Sequence, residues 1–286
     1  MDQQNEDDIS PPPQWGFSPA EQYLIRHWDY VSTLSAGEQR RKLTHAFLLV
    51  EGSELNDLIT PSSGVIPRTP TADEVRDILE PWRPTKIRLI AAQLLDYWDR
   101  DQVILRTDYA HPRGDEKMEE WIELQELEDM YFDEESLWWR ILDDQALFNF
   151  GEAWDRVLDI LPELVGRVAP GLLKRGLERH GKLDDDEKTE AQIQWASYCG
   201  PAPILIADAE SFDTDSLRVI FPDTYGNIIR SSRIEPADIG TLKLMPERGQ
   251  TVDSTWWADA EIGEKYKTDG EMALKLYVTN EEEQQR

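Results

Sequence analysis

Two short apolar runs stand out in the hydrophobic pattern of the chain. They are Gln102 to Asp108 (QVILRTD) and Ala202 to Asp208 (APILIAD), and each ends in aspartate. Each run is too short for a buried helix, and apolar runs bounded by turn-forming residues are typical of strands buried on both faces of a sheet. We therefore predict an α/β fold with a mixed sheet, in which 102–108 and 202–208 are central strands that lie side by side with their acidic ends pointing the same way.

The first hundred residues carry the pattern of amphipathic helices. Three segments open with serine or threonine followed three positions later by glutamate, which is the signature of a capping box: Ser18 with Glu21, Ser35 with Glu38, and Thr71 with Glu74. A fourth helical run begins near Ile87. Because the first central strand follows with hardly a linker, we expect the helices of residues 18–100 to pack on the sheet and not to form a free domain.

The rest of the chain is predicted as one α/β domain over residues 101–280. A helical insertion covers about 132–197, a short helix spans Leu217 to Phe221 before Pro222, and strands begin at Ile228 and cover 241–245 and 272–278. Residues 1–17 are acidic and proline-rich, which predicts a disordered arm, and residues 281–286 are predicted to be an acidic, solvated tail.

The charge balance restricts the classes of partner that the protein can bind. The chain has 58 acidic and 30 basic residues, a formal net charge of -28. Such a polyanion repels nucleic acid and anionic membranes, and it attracts basic proteins. Cys199 is the single cysteine, so no disulfide within the chain and no cysteine cluster for zinc can form. Without a signal peptide or an apolar run long enough for a bilayer, a cytoplasmic or nuclear location is expected.

The aspartates that end the two strands are the first candidates for chemistry. In an open α/β sheet, ligands bind beyond the carboxyl ends of the strands. Asp108 and Asp208, with Asp213 nearby, could hold one Mg²⁺, and His111 lies in the loop after the first strand. The alternative is that both aspartates cap helices or start turns, because their side chains accept backbone N–H bonds.

Other motifs in the sequence are weaker evidence for a functional site. The stretch from Gly176 to Lys182 has phosphate-loop spacing, but Leu183 replaces the required hydroxyl and the preceding pattern is helical. Two adjacent tryptophan pairs, Trp138 with Trp139 and Trp256 with Trp257, are candidates for an interaction surface. Neighbours on a helix diverge by about 100°, so both members of such a pair cannot face one core. Core packing explains much of the same pattern.

The two strand motifs also carry a family resemblance. ILRTDY followed by a tryptophan-bearing helix, and PILIADAESF followed by Pro222 and Tyr225, resemble a domain of unknown function found in uncharacterised bacterial and fungal proteins. The resemblance spans about residues 103–238, and the long insertion departs from it. It implies a small α/β module, and it implies no activity and no catalytic residues.

Three functional hypotheses follow. The absence of short catalytic motifs favours a non-enzymatic accessory or protein-interaction protein that needs no cofactor. The second is a metal-assisted phosphoryl-transfer or hydrolytic enzyme, which would use Mg²⁺ at Asp108 and Asp208. The third is an acidic decoy that occupies the basic groove of a partner protein, and it rests on charge alone.

Overall fold

The described part of the chain falls into two compact units. The computed structural model describes residues 18–50, 70–80, 82–96, 103–128, 140–165, 203–223, 225–239 and 260–264. Among these, residues 18–96 and Asp155–Leu164 form unit 1, and the others form unit 2. The N-terminal helices therefore share a unit with a segment that lies far along the chain.

The described part of unit 1 contains four α-helices, and capping sets the start of the first three. They are α1 (Pro19–His27), α2 (Ala36–Phe47), α3 (Ala72–Leu79) and α4 (Thr85–Asp96). At α2 and α3 the serine or threonine side chain and the glutamate three residues later each bond the other's backbone N–H, and at α1 the Ser18 side chain accepts from the N–H of Glu21. These reciprocal bonds satisfy donors that a helix start leaves open. The predicted capping boxes at α2 and α3 are confirmed, as is the cap of α1.

The helices of unit 1 enclose a core of their own. Leu24 of α1, Phe47 of α2 and Ile78 and Leu79 of α3 are buried together. The distant segment contributes two 3₁₀ helices, Trp154–Asp159 and Pro162–Leu164, with further buried apolar side chains. The described residues thus form two compact units, while the predicted domain organisation, with the helices packed on the sheet, stays a prediction.

Unit 2 contains a mixed sheet, of which six strands are described. They are β1 (Val103–Arg106), β2 (Ile141–Leu142), β3 (Ile204–Ala207), β4 (Leu217–Pro222), β5 (Ile228–Ile234) and β6 (Glu261–Ile262). Their order is β2-β1-β3-β4-β5-β6, with β1 parallel to β2 and β3 and the remaining neighbours antiparallel. Val103 pairs with Ile204 and Arg106 with Ala207, so the two predicted central strands are adjacent and parallel.

Helices cover one face of this sheet. Unit 2 has α5 (Gly114–Glu128), α6 (Gln145–Phe148), α7 (Ala209–Thr214) and a 3₁₀ turn, Pro236–Asp238. Met118 and Trp121 of α5 and Phe212 of α7 are buried with Leu205 and Val219 of the sheet, and the rings of Trp121 and Phe212 stack at 5.4 Å. On the other face Leu105, Ile206 and Ile220 are also buried. The α/β fold with two-sided burial of the central strands matches the sequence analysis.

The structure corrects two predicted elements. Residues from Leu217 to Pro222 form strand β4, not a short helix, because β3 and β5 both pair with them. Within the predicted helical insertion, Ile141–Leu142 form a strand beside β1, and Asp155–Leu164 belong to unit 1.

Several predictions lie outside the described residues. These are the N-terminal arm, the acidic tail, the strands at 241–245 and 272–278, Cys199, and the four tryptophans 138, 139, 256 and 257. Among the helices that are described, none has the length and apolar character needed to cross a membrane.

Candidate functional site

The strand order places a crevice at the carboxyl ends of β1 and β3. From β1 the chain passes through α5 to β2 on one side, and from β3 it passes through α7 to β4 on the other side. Connections that leave a strand pair in opposite directions open a crevice between them, and ligands of open α/β sheets bind there. Asp108 and Asp208 follow these two strands directly.

Asp208 is the N-cap of α7. Its Oδ1 accepts the backbone N–H of Ser211 at 2.8 Å and the Ser211 hydroxyl at 2.7 Å, and the Ser211 hydroxyl oxygen lies 3.2 Å from the backbone nitrogen of Asp208. Aspartate is among the best residues for this position because its side chain satisfies open N–H groups of the first turn. The local sequence Asp-Ala-Glu-Ser therefore fixes the Asp208 carboxylate toward α7.

Arg233 of β5 binds the same carboxylate from across the sheet. Its Nη2 lies 3.1 Å from Oδ2 of Asp208 and 2.5 Å from Oε2 of Glu210. Its Nη1 donates to the backbone carbonyl of Ser216 at 3.0 Å and to the Ser211 hydroxyl at 3.2 Å. Both oxygens of Asp208 thus have protein donors, and the guanidinium ties β5 to the start of α7.

Asp108 starts a turn at the end of β1. Its Oδ1 accepts the N–H groups of Ala110 at 2.9 Å and His111 at 3.2 Å, which is the usual bonding of aspartate in a turn. Its backbone carbonyl accepts Nε of Arg106 at 3.0 Å. The capping and turn-forming roles that the sequence offered for these aspartates are the ones their bonds perform.

Arg106 organises the loop around Asp108. The guanidinium is almost fully buried, lies over the rings of Tyr109 and Phe212 at 4.4 and 5.4 Å, and bonds Oδ1 of Asp115 at 2.6 Å. Burial, followed by the negative charge of Asp143, raises the pKa of the Tyr109 hydroxyl well above its usual range. Tyr109 therefore stays protonated over the physiological pH range.

His111 and Asp213 lie together on the same side. The His111 ring stacks on Phe212 at 5.5 Å, and its Nε2 is 3.6 Å from Oδ1 of Asp213. Asp213 itself is largely exposed. In the described ranges, no group of three or more histidine, cysteine, aspartate or glutamate side chains is arranged to hold a metal ion. Metal binding by Asp108, Asp208 and Asp213 stays a prediction.

The crevice continues into a large cleft in unit 2. Its volume is about 1400 Å³, and it runs from the ends of β1 and β3 over β4, β5 and β6. Gly151, at φ 60°, donates its N–H to the carbonyl of Thr107 at 2.8 Å and so brings Glu152 to the rim. Seven carboxylate side chains line the cleft: Asp108, Glu152, Asp208, Glu210, Glu235, Asp238 and Glu261.

The electrostatics of this cleft are strongly negative. Two arginines, Arg218 and Arg233, face the seven carboxylates. Arg233 is committed to Asp208 and Glu210, whereas Arg218, its direct neighbour across the strand pair, has no ion-pair partner among the residues described. Carboxylates converging in a concave surface attract cationic groups and focus their field into the cleft.

Asp108 and Asp208 therefore share one cleft, as the sequence predicts, while His111 and Asp213 are absent from its lining. Sequence reasoning missed Arg233, Arg218 and Glu261. Their spacing within half-exposed strands signals only an exposed face, and their convergence depends on the pairing of β4, β5 and β6. Arg106 was visible in the R-T-D motif, but its burial was not.

Comparison with known proteins identified no relative of this chain. No protein-family model matches the sequence, and neither a curated protein nor a solved structure shows significant similarity to it. The resemblance to a domain of unknown function stays a prediction.

Proposed function

We propose that this protein is a non-enzymatic interaction protein that holds a basic segment of a partner protein in the acidic cleft of unit 2. The observation that carries the proposal is the ratio of seven carboxylates to two guanidinium groups in the lining. The occupant is a stretch rich in lysine or arginine, because these side chains complement the carboxylates of the lining. It is an extended stretch, because a cleft of about 1400 Å³ accommodates several side chains.

The bonding of the two aspartates supports binding over catalysis. Both oxygens of Asp208 accept bonds from Arg233 or Ser211, and Asp108 accepts two backbone N–H groups. Carboxylates bonded in this way stabilise the fold of the unit. The carboxylates at the rim, Glu152, Glu235 and Glu261, are exposed and have no ion-pair partner within the described ranges, so they are available to an incoming cation.

A matched pair of variants tests the site against the general charge of the chain. Glu235→Gln/Glu261→Gln removes two cleft charges, and Glu119→Gln/Glu123→Gln removes two exposed charges from α5. Binding of a labelled lysine- and arginine-rich peptide is measured by fluorescence anisotropy at low and high salt. We expect the cleft variant to weaken binding at low salt about five- to tenfold and the α5 variant by less than about twofold.

The salt series decides what kind of binding is seen. Interactions that depend on exposed charges weaken as the Debye length shortens to about 8 Å at physiological ionic strength. Equal losses in the two variants would assign the binding to the overall charge of -28 and would reject the cleft as the site. If the cleft is the site, a partner captured from cells should be lost with the cleft variant and kept with the α5 variant.

A further inference from the structure

In unit 1 a distant piece of the chain packs with the N-terminal helices. Asp155–Leu164 follows strand β2 by a dozen residues, yet its contacts place it with the N-terminal helices. Four of its apolar side chains, Val157, Leu158, Leu161 and Leu164, are between 0 and 6% exposed. Pro162–Leu164 lies against α4. We call Asp155–Leu164 the strap.

The backbone of the strap is held by side chains of unit 1. Trp82 Nε1 donates to the carbonyl of Asp159, and Arg83 Nε donates to the carbonyl of Ile160 at 2.8 Å. Hydrogen bonds to the main chain of a bound peptide give affinity whatever its side chains are. Contacts to the strap's own side chains then give selectivity.

Two carboxylates of the strap, four residues apart, meet basic groups. Asp159 lies 2.8 Å from Nε2 of His45 and 3.3 Å from Nε of Arg41, both on α2. Glu163 forms a two-pronged pair with Arg83, at 2.9 and 2.5 Å. Arginine prefers this planar pairing with carboxylates, which fixes the orientation of both groups.

The charge of the surface complements the strap. Arg83 is fully buried, and the fully buried Glu21 pairs with both Arg83 and Arg88. With the strap in place, Glu21 and Glu163 balance Arg83 and Arg88. Without it, Arg83 would keep Glu21 alone among its carboxylate partners in the described residues, and Arg41 and His45 would lose Asp159. Three basic groups of unit 1, Arg41, His45 and Arg83, thus meet the two carboxylates of the strap, in a chain of net charge -28.

We propose that unit 1 is a peptide-binding surface for acidic, apolar segments, and that the strap is its displaceable occupant within the chain. The partner it fits has two carboxylates four residues apart, with apolar pairs before and between them, as in V-L-D-I-L-P-E. Displacement requires that the strap can detach while the helices stay folded. This inference is independent of the acidic cleft.

The detachment is tested on the unmodified protein by hydrogen exchange. The amides of Ile160 and Leu161 bond to the carbonyl of Val157 within the strap, whereas Gln22 and Val75 bond within the first turns of α1 and α3. We expect the strap amides to exchange at least about tenfold faster and with a weaker dependence on denaturant, as in a local opening. Equal rates with equal denaturant dependence would make the strap an inseparable part of the core and would overturn the proposal.

Displacement is tested with full-length variants and a labelled peptide of residues 154–165. Asp159→Asn/Glu163→Gln loosens the strap in the chain and leaves the surface intact. Asp155→Asn is the matched control, because Asp155 is exposed and has no ion pair among the described residues. Since the tethered strap competes at high effective concentration, we expect the peptide to bind the double variant at least about tenfold more tightly than the control or the wild type.

The peptide itself supplies the second control. A peptide that carries the same two substitutions, Asp159→Asn and Glu163→Gln, should bind the double variant at least about tenfold more weakly than the natural sequence, since it lacks both carboxylates. Binding that ignores these two positions contradicts the proposed recognition. If the double variant loses the fold of unit 1 and the peptide does not restore it, the strap is a core element and the proposal fails.

Discussion

Replacing Arg106 by lysine tests how one buried guanidinium holds the end of β1. The substitution keeps the positive charge but removes the planar fork. Lysine cannot reach the carbonyl of Asp108 and the carboxylates of Asp115 and Asp143 together, and it cannot lie flat between the rings of Tyr109 and Phe212.

The expected loss can be summed from these contacts. A bond from a charged donor to a partly buried carbonyl contributes about 1.5–3 kcal/mol, and the ring contacts contribute about 0.5–2 kcal/mol. The pair with Asp115 adds less than about 1 kcal/mol, because that carboxylate is 89% exposed. Lysine recovers part of the total, so we expect unit 2 to lose about 2–4 kcal/mol of unfolding free energy.

Hydrogen exchange measured by mass spectrometry reports this loss for each unit separately. The amides of β1 and β3 should exchange roughly a hundredfold faster in Arg106→Lys, since about 1.4 kcal/mol corresponds to tenfold. The amides of α1, in unit 1, serve as the internal reference.

Arg113→Lys is the control in the same loop. Arg113 is exposed and pairs with Glu116, which is also exposed, so its replacement should change stability by less than about 0.5 kcal/mol. If the two variants exchange alike, the reasoning from burial and stacking at Arg106 is refuted.

Three smaller predictions concern the same region. Asp208→Ala should destabilise unit 2 by about 1–2 kcal/mol in urea unfolding, because α7 loses its cap and Arg233 loses one of its two carboxylate partners, and Asp208→Asn should destabilise it less. Gly114→Ala should cost about 1–3 kcal/mol, because the new methyl would lie 2.6 Å from Nη2 of Arg106. Tyr109→Phe should lose less unfolding free energy than the wild type as the pH rises above about 10.

The sign of the alkaline prediction follows from linkage. The pKa of Tyr109 is raised in the folded state, so the unfolded chain releases this proton first and stability falls as the pH rises through the ordinary tyrosine pKa. Urea midpoints measured between about pH 8 and 11 check it, and parallel alkaline limbs in the two proteins would contradict it. For Gly114→Ala the control is Gly37→Ala in α2, which should not destabilise the protein, since its added methyl meets nothing within 4 Å and alanine favours a helix.

Local chemistry determined the elements that the sequence predicts well. Ser35 with Glu38 and Thr71 with Glu74 start helices because the bonds that stabilise the first turn lie within four residues. The runs VILR and ILIA form buried strands because they are apolar nearly throughout and too short for helices. Asp208 caps α7 for the same local reason.

Other features were decided by tertiary structure. The run from Leu217 to Pro222 has apolar positions that fit a short helix, and it is a strand because β3 and β5 lie on either side to pair with it. Ile141–Leu142 is too short to show any period, so its place beside β1 depends on the chain returning there. Propensity is a weak guide in such short runs, and burial between neighbours overrides it.

The sequence by itself therefore determined the α/β class, the two parallel central strands and the acidic ends that they bring to one edge. It could not show that Arg233 meets Asp208 or that Arg83 meets Glu163, because these residues are 25 and 80 positions apart. Contacts at such separations follow from strand order and helix packing, and no local pattern encodes them. The acidic cleft and the strap in unit 1 both depend on such contacts.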